Sequence, residues 1–264
     1  MAAQPEGAPC WADAMFTDLE GAKTFYGDVL GWTFGESSSE FGGYTEAYAN
    51  GKAVAAVVPP MPGQEGPSQW CLYLATENAA ATAARIRDNG GELLMDPMAV
   101  GDLGTMCLAR DPGGVVFGLW QAGTHEGFAA MAEPGAYCWA EIFTREPEKS
   151  DAFFPAVFPY TAKNMEGEPE FRLFDVGERS VLGRMRMTEE FPPEVPPYVN
   201  VYFTVEDCDE AVARATKLGG VLRFGPMDTP FGRLATLSDP QGAHFSVIDI
   251  TTTVGEPPRT TDVT

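Results

Sequence analysis

A repeat running from one end of the chain to the other constrains this sequence more than any local pattern. Cys10-Trp11-Ala12-Asp13 returns as Cys138-Trp139-Ala140-Glu141, and the offset of 128 positions holds without a gap from Phe25-Tyr26 to Phe153-Phe154 and from Trp32-Thr33 to Tyr160-Thr161. After small length changes the match resumes. Leu72-Tyr73-Leu74 answers Val201-Tyr202-Phe203, Gly90-Gly91-Glu92-Leu93 answers Gly219-Gly220-Val221-Leu222, and Asp111-Pro112-Gly113-Gly114 answers Asp239-Pro240-Gln241-Gly242. Similarity of that extent marks the fusion of two whole modules, because a shared short motif would not reach so far. A chain of 264 residues gives each copy roughly 120, enough to bury a core of its own.

Within the first copy the periodicity predicts a strand at 10–17, then a helix opened by Asp18 as N-cap, with Ala22, Phe25, Tyr26 and Val29 at helical spacing and Gly31 as its stop. Strands follow at 44–49 and 53–58, split by Asn50-Gly51, a pair suited to the positive φ angles of a tight hairpin. A second cycle gives a strand at 70–76, an alanine-rich helix at 78–88 and strands near 92–94, 105–110 and 115–121. The second copy reads alike: strand 138–145, helix 148–158, hairpin 171–187 through Gly177-Glu178, strand 199–205, helix 207–218 and hairpin 232–249. The fold class is therefore α+β, with each module a pair of βαβββ units. Residues 1–8 are expected to be a disordered tail, 9–121 the first module, 122–135 a linker, 136–250 the second module and 251–264 a flexible tail.

Composition narrows the function. With 38 acids against 17 bases, a net charge of −21 disfavours nucleic acid and anionic membranes as partners, since both require clustered Lys and Arg. No apolar run approaches the roughly 18 residues of a membrane span, and Met1 to Gly7 lacks the basic and apolar regions of a signal peptide, so a cytoplasmic location is expected. Five scattered cysteines without a CxxC pair suggest reduced thiols rather than disulfides or a zinc knuckle. Phosphate-cradling glycine loops and a serine nucleophile elbow are both missing from the sequence.

Paired βαβββ units, Gly-Trp after the first helix, Gly-Gly after each second helix and an Asp-Pro-x-Gly turn before each last strand together resemble the vicinal-oxygen-chelate superfamily of glyoxalases, bleomycin-resistance proteins and extradiol dioxygenases. The resemblance covers nearly the whole chain outside the linker and tails. It implies that each module curls into an open barrel-like cleft and that the tandem chain mimics a dimer of single-module relatives. It also implies metal ligands on three strands. Those positions fall on Trp11 and Trp139, on Cys71 and Asn200, and on Gly118 and Ser246, while the fourth lies among 55–58 and 182–186, where no acid or histidine stands. An indole nitrogen is a donor only, and one thiol in one module does not hold a divalent cation. No catalytic metal and no cofactor is expected.

Strand alternation then predicts what faces the clefts. In the first module these are Trp11, Asp13, Met15, Tyr44, Glu46, Tyr48, Cys71, Tyr73, Val116, Gly118 and Trp120; in the second, Trp139, Glu141, Phe143, Asn200, Tyr202, His244, Ser246 and Ile248. Such aromatic walls with few polar groups suit an aromatic or polycyclic small molecule held by stacking. The indoles would serve equally as core. Asp13 and Glu141 need an arginine, a ligand or water as partner, and Arg172, Arg184 and Arg186 are candidates for Glu141. His244 is either a general base or a hydrogen-bonded filler, and His125, in the linker, is expected to be solvated. The leading expectation is metal-independent binding of a hydrophobic or aromatic antibiotic or secondary metabolite. The alternative is a cofactor-independent enzyme of lyase, isomerase or cyclase type, with Asp13, Glu141 and His244 as its proton-transfer candidates. A non-binding scaffold would instead require collapsed clefts and a large apolar patch. A tandem pseudo-dimer is expected to be a monomer or a weak homodimer.

Overall fold

Asp18 opens α1 (Leu19–Leu30) by accepting from the Gly21 amide at 2.9 Å, and Gly31 ends it in the left-handed region, with φ of 71°. Asn78 caps α2 (Ala79–Asp88) in the same way. α3 (Pro147–Val157) starts on a proline whose missing N–H would have had no helical partner, and Asp207 caps α4 (Cys208–Lys217). The computed structural model describes residues 3–60 and 68–263. Among these no helix is long and apolar enough to cross a membrane.

The first sheet has eight strands: β1 (Pro9–Met15), β2 (Thr33–Phe34), β3 (Thr45–Ala49), β4 (Lys52–Val58), β5 (Trp70–Ala75), β6 (Glu92–Val100), β7 (Gly104–Arg110) and β8 (Val116–Ala122). Their spatial order is β2-β3-β4-β1-β5-β8-β7-β6. The second sheet comprises β9 (Tyr137–Thr144), β10 (Thr161–Met165), β11 (Glu168–Val176), β12 (Arg179–Arg186), β13 (Tyr198–Thr204), β14 (Val221–Thr229), β15 (Gly232–Ser238), β16 (His244–Asp249) and β17 (Thr260–Asp262). It repeats the same order as β10-β11-β12-β9-β13-β16-β15-β14, with β17 added outside β10. In each module the first strands of the two units meet antiparallel, placing Asp13 opposite Cys71 and Glu141 opposite Asn200. This central pairing joins two βαβββ units into one sheet.

One face of each sheet meets the helices and the other module. α1 packs against α4, and α2 against α3, so each first helix rests on the second helix of the other module. Between the sheets lies a continuous aromatic core, where the Phe203 ring stands 5.2 Å from both Trp32 and Trp70 and Phe117 lies 5.5 Å from Phe154. The two Asp-Pro turns latch this interface: Tyr26 donates to Asp239 at 2.9 Å and Ser150 to Asp111 at 2.5 Å. Predicted core residues Phe25, Tyr26, Phe153 and Phe154 are all buried here.

Four segments depart from expectation. The tail ahead of β1 is docked: Gly7 donates to the Ala75 carbonyl, Ala8 is buried, and Glu6 pairs with Arg85 at 2.8 Å. The segment 122–135 packs rather than spans, since the Phe128 amide donates to Cys10 and its ring, 3% exposed, stacks on Tyr137 at 4.7 Å. The C-terminal tail, expected to be flexible, carries β17, which pairs with β10 from Lys163–Asp262 to Met165–Thr260. A free β10 edge offers unpaired donors and acceptors, and the tail satisfies them. β6 also outruns the expected 92–94, because a proline is tolerated on an edge strand and Pro97 falls where the register shifts.

Candidate functional site

The helix-free face of each sheet carries the predicted cleft residues, and register shows which of them are neighbours. Trp11, Tyr73 and Gly118 form one row in the first module, continued outward by Leu108 and Met95. Asp13 lies one step along β1, between Cys71 on one side and Ala56 and Glu46 on the other. Trp11 Nε1 donates to the Tyr44 hydroxyl at 2.6 Å, and that hydroxyl reaches Asp13 Oδ2 at 3.4 Å. Burial pushes the Asp13 carboxyl up to about 7, although hydrogen bonds from Tyr73 and Tyr44 oppose the rise. The Cys71 thiol, also buried and beside Asp13, is raised as well, which makes it a poor metal ligand or nucleophile. Tyr48 bonds to Glu46, and Met15 stands 36% exposed at the mouth. Gly118 leaves space for the Tyr73 ring, since a Cβ there would lie 2.2 Å from Tyr73 Cδ1.

The second module repeats the acid and tyrosine with different surroundings. Tyr202 donates to Glu141 Oε2 at 2.7 Å and Trp139 Nε1 to Oε1 at 3.2 Å, while burial raises the carboxyl above the usual range. Phe143 stacks on Tyr198 at 5.0 Å with an interplanar angle of 11°. The His244 ring lies 5.1 Å from Tyr198, and burial, with Arg223 adding, holds its pKa below the ordinary value. Asn200 is fully buried and donates to Ser246 at 2.8 Å, and Ser246 also bonds Thr236 at 2.8 Å. Asn200 Oδ1 and His244 Nδ1 have no hydrogen-bond partner among the described residues. Ile248 is buried further along β16.

Two expectations are corrected. The arginines do not partner Glu141: Arg184 and Arg172 bind Asp151, and Arg186 binds Glu148 and Glu170. Glu141 stands opposite Gly183, so Arg184 on the next residue points to the other face. His125 is half-buried, not free in solvent. Its ring packs edge-on against Trp11 at 4.5 Å and lies 5.6 Å from Trp120, whose Nε1 donates to the His125 carbonyl at 2.8 Å. The segment 122–135 thus covers the Trp11 end of the first cleft. Gly127 permits this approach, having φ of 101° and no Cβ to strike the Cys10 carbonyl.

Sequence reasoning missed the outer walls. Register extends the first face to Met106 and Met98 beside Trp120, and the second to Thr236 and Phe224 beside Ser246 and to Leu234 and Met227 beside Ile248. The alternation within 104–110 and 232–238 held that signal. A cavity of about 220 Å³, lined by Leu30, Asn50, Gly135, Glu206, Glu210 and Arg214, lies between the modules and away from either cleft face.

A divalent metal does not fit these donors. Trp11 and Trp139 offer hydrogens rather than lone pairs, Gly118 offers no side chain, and Asp13 and Glu141 already accept from aromatic donors. Among the described residues no three His, Cys, Asp or Glu side chains converge as a metal would require.

Residues 11–119 match the model of the Glyoxalase/Bleomycin resistance protein/Dioxygenase superfamily. Over 250 residues the chain is 39% identical to the candidate glyoxylase CFP32 of Mycobacterium tuberculosis, covering 92% of this chain and 95% of that one. The chain belongs to this superfamily. Within it, the chain is also 36% identical over 260 residues to the anthracycline biosynthesis protein DnrV of Streptomyces peucetius, covering 92% and 94% of the two chains. Superfamily structures share the fold. The Mn(II)-bound glyoxalase from Novosphingobium aromaticivorans superposes with a TM-score of 0.65 at 15% identity, over 94% of this chain and 86% of that one. The 2,3-dioxygenase LapB from Pseudomonas sp. KL28 gives 0.67 at 13% identity, over 96% and 94%.

Proposed function

We propose that this superfamily member binds a flat hydrophobic or aromatic small molecule, of the antibiotic or secondary-metabolite type, without a metal. The observation that carries this reading is the duplicated arrangement on the helix-free faces: an acid hydrogen-bonded by tyrosine, beside a tryptophan, in aromatic walls where the resemblance would place metal ligands. Aromatic walls supply area and stacking, and the acid supplies a single orienting group. The Streptomyces relatives named for anthracycline biosynthesis support a polycyclic ligand class. Titration of the full chain with a tetracyclic quinone, followed by tryptophan quenching and by chromatography of the recovered compound, tests the reading. Saturable binding with the compound returned unchanged is expected, weakened at least tenfold when Trp11 or Trp139 becomes Ala. Binding indifferent to both substitutions would overturn it.

The second reading, cofactor-independent proton transfer, is favoured by one observation. Asp13 is lifted to about 7, so near neutrality it exchanges a proton as a general acid or base must. Conversion of the compound, abolished by Asp13→Asn or Glu141→Gln, is the expected sign of catalysis; turnover unchanged in both variants would remove this reading.

A further inference from the structure

The geometry points to the second module as the working site: we propose that its cleft receives a planar aromatic ligand through a hydrogen-bond donor, a hydroxyl or amine, that Asn200 and Glu141 accept. This inference rests on the binding reading above and decides where, and by which chemistry, binding occurs.

The two clefts are not equivalent. In the first, His125 and Phe128 lie against Trp11, with Phe128 at 5.6 Å, and leave that indole 4% exposed. Among the described residues nothing caps Trp139 in this way, because the chain after β16 leaves along Thr251 to pair through β17 with the far edge strand β10; Phe191 lies 5.7 Å from Phe143 at the other end. Trp139 consequently remains half-buried where Trp11 is nearly closed off, while the acids of both modules, Asp13 and Glu141, are half-buried alike. Outward along the Trp139 row, Phe224 is 57% exposed on the edge strand. An apolar side chain so exposed at the rim of an aromatic cleft extends its wall.

Polar inventory sets the ligand's chemistry. The aromatic donors beside the second acid are committed, Tyr202 and Trp139 to Glu141, and one hydrogen of the Asn200 amide goes to Ser246. Acceptors are left over. Asn200 Oδ1 is wholly buried without a donor, and each Glu141 oxygen has a free lone pair beyond the single bond it accepts. A buried acceptor left unpaired costs as much as a lost hydrogen bond, so a ligand hydroxyl or amine arriving there relieves that cost. A carbonyl or ether oxygen would leave Asn200 Oδ1 unpaired. The first module differs at this point, placing a thiol, Cys71, where the second places Asn200.

Binding of 2,6-dihydroxyanthraquinone and of its dimethyl ether to the full chain separates the possibilities, since the ether keeps the ring area and loses the donors. The dihydroxy compound is expected to bind about tenfold more tightly than the ether, a preference lost in Asn200→Leu. Phe224→Ser, at an exposed position where folding is not at risk, is expected to weaken both compounds about threefold. Trp139→Phe, in the second cleft, is expected to weaken both about threefold. Equal affinity for the two compounds, or binding unaltered in both Trp139→Phe and Phe224→Ser, would overturn the assignment to the second module while leaving the binding reading intact. No binding of either compound to the unaltered chain would overturn the binding reading, and this assignment with it.

Discussion

Asp13 takes hydrogen bonds from two tyrosine hydroxyls, yet burial outweighs them and lifts its carboxyl from the ordinary 3.8 to about 7. Between those values the unfolded chain has released a proton that the folded chain still holds. Stability contributed by this group is therefore present below about pH 4, falls as pH rises through the window and stays low above about pH 7. Asp13→Asn removes the dependence. Its melting temperature is expected to lie below that of the unaltered chain near pH 4, where two hydrogen bonds are weakened, and to approach or pass it by about pH 8. Melts at both pH values check this, and a constant offset would show that Asp13 holds no such proton. Gly118 makes a steric prediction: Gly118→Ala must push the Tyr73 ring away from a Cβ 2.2 Å distant, costing about 1–3 kcal/mol in urea unfolding. A neutral result would mean that Tyr73 has room to move and does not fix Asp13.

At the scale of elements, what the sequence made legible follows from physical signals. Asp18 and Gly31 bound α1 through local chemistry, a side-chain oxygen for an orphan amide and a left-handed φ, and both stand where the pattern placed them. Strand alternation found Trp11, Asp13, Tyr73, Trp139, Glu141 and Tyr202 on one face because one-sided burial enforces it. β10 escaped detection: Thr161 to Met165 has no buried residue and hence no alternation of hydrophobicity to read. The arginine partners of Glu141 were misjudged because parity depends on register, and register is a property of two strands. Residues 122–135 look like a linker because their composition is dominated by small residues, and the single Phe128 creates no period. Its burial, however, makes the segment part of the core. Phe128→Ala is expected to cost about 3–5 kcal/mol in denaturant unfolding, whereas a true linker position would change by under about 0.5 kcal/mol. A loss in the lower range would return the segment to the role its composition suggests.

For the whole molecule, duplication has produced two sheets that share one core. Trp32, Trp70, Phe203 and Phe245 are all buried, and the contacts among them and α1 cross from one module to the other: Phe203 meets Trp32 and Trp70, while Phe245 meets Phe25 at 6.0 Å and Tyr26 at 5.3 Å. The polar latches cross as well, since Asp239 of one module accepts from Tyr26 of the other and Asp111 accepts from Ser150 in the reverse sense. Each module alone would expose this aromatic face and leave a buried carboxylate's donor unmatched, at a cost of several kcal/mol against a typical total stability of about 5–15 kcal/mol. The helix-free faces, by contrast, make no demand on the partner and are free to carry ligand chemistry. The halves divided before Pro134 are therefore expected to aggregate or remain unfolded when made separately, and to form a one-to-one complex with restored aromatic circular dichroism when made together. Sedimentation and near-ultraviolet spectra of the separate and mixed halves distinguish the cases. A half that stays monomeric, folded and cooperative alone would show that the shared core is an interface between finished domains, not the core on which both depend.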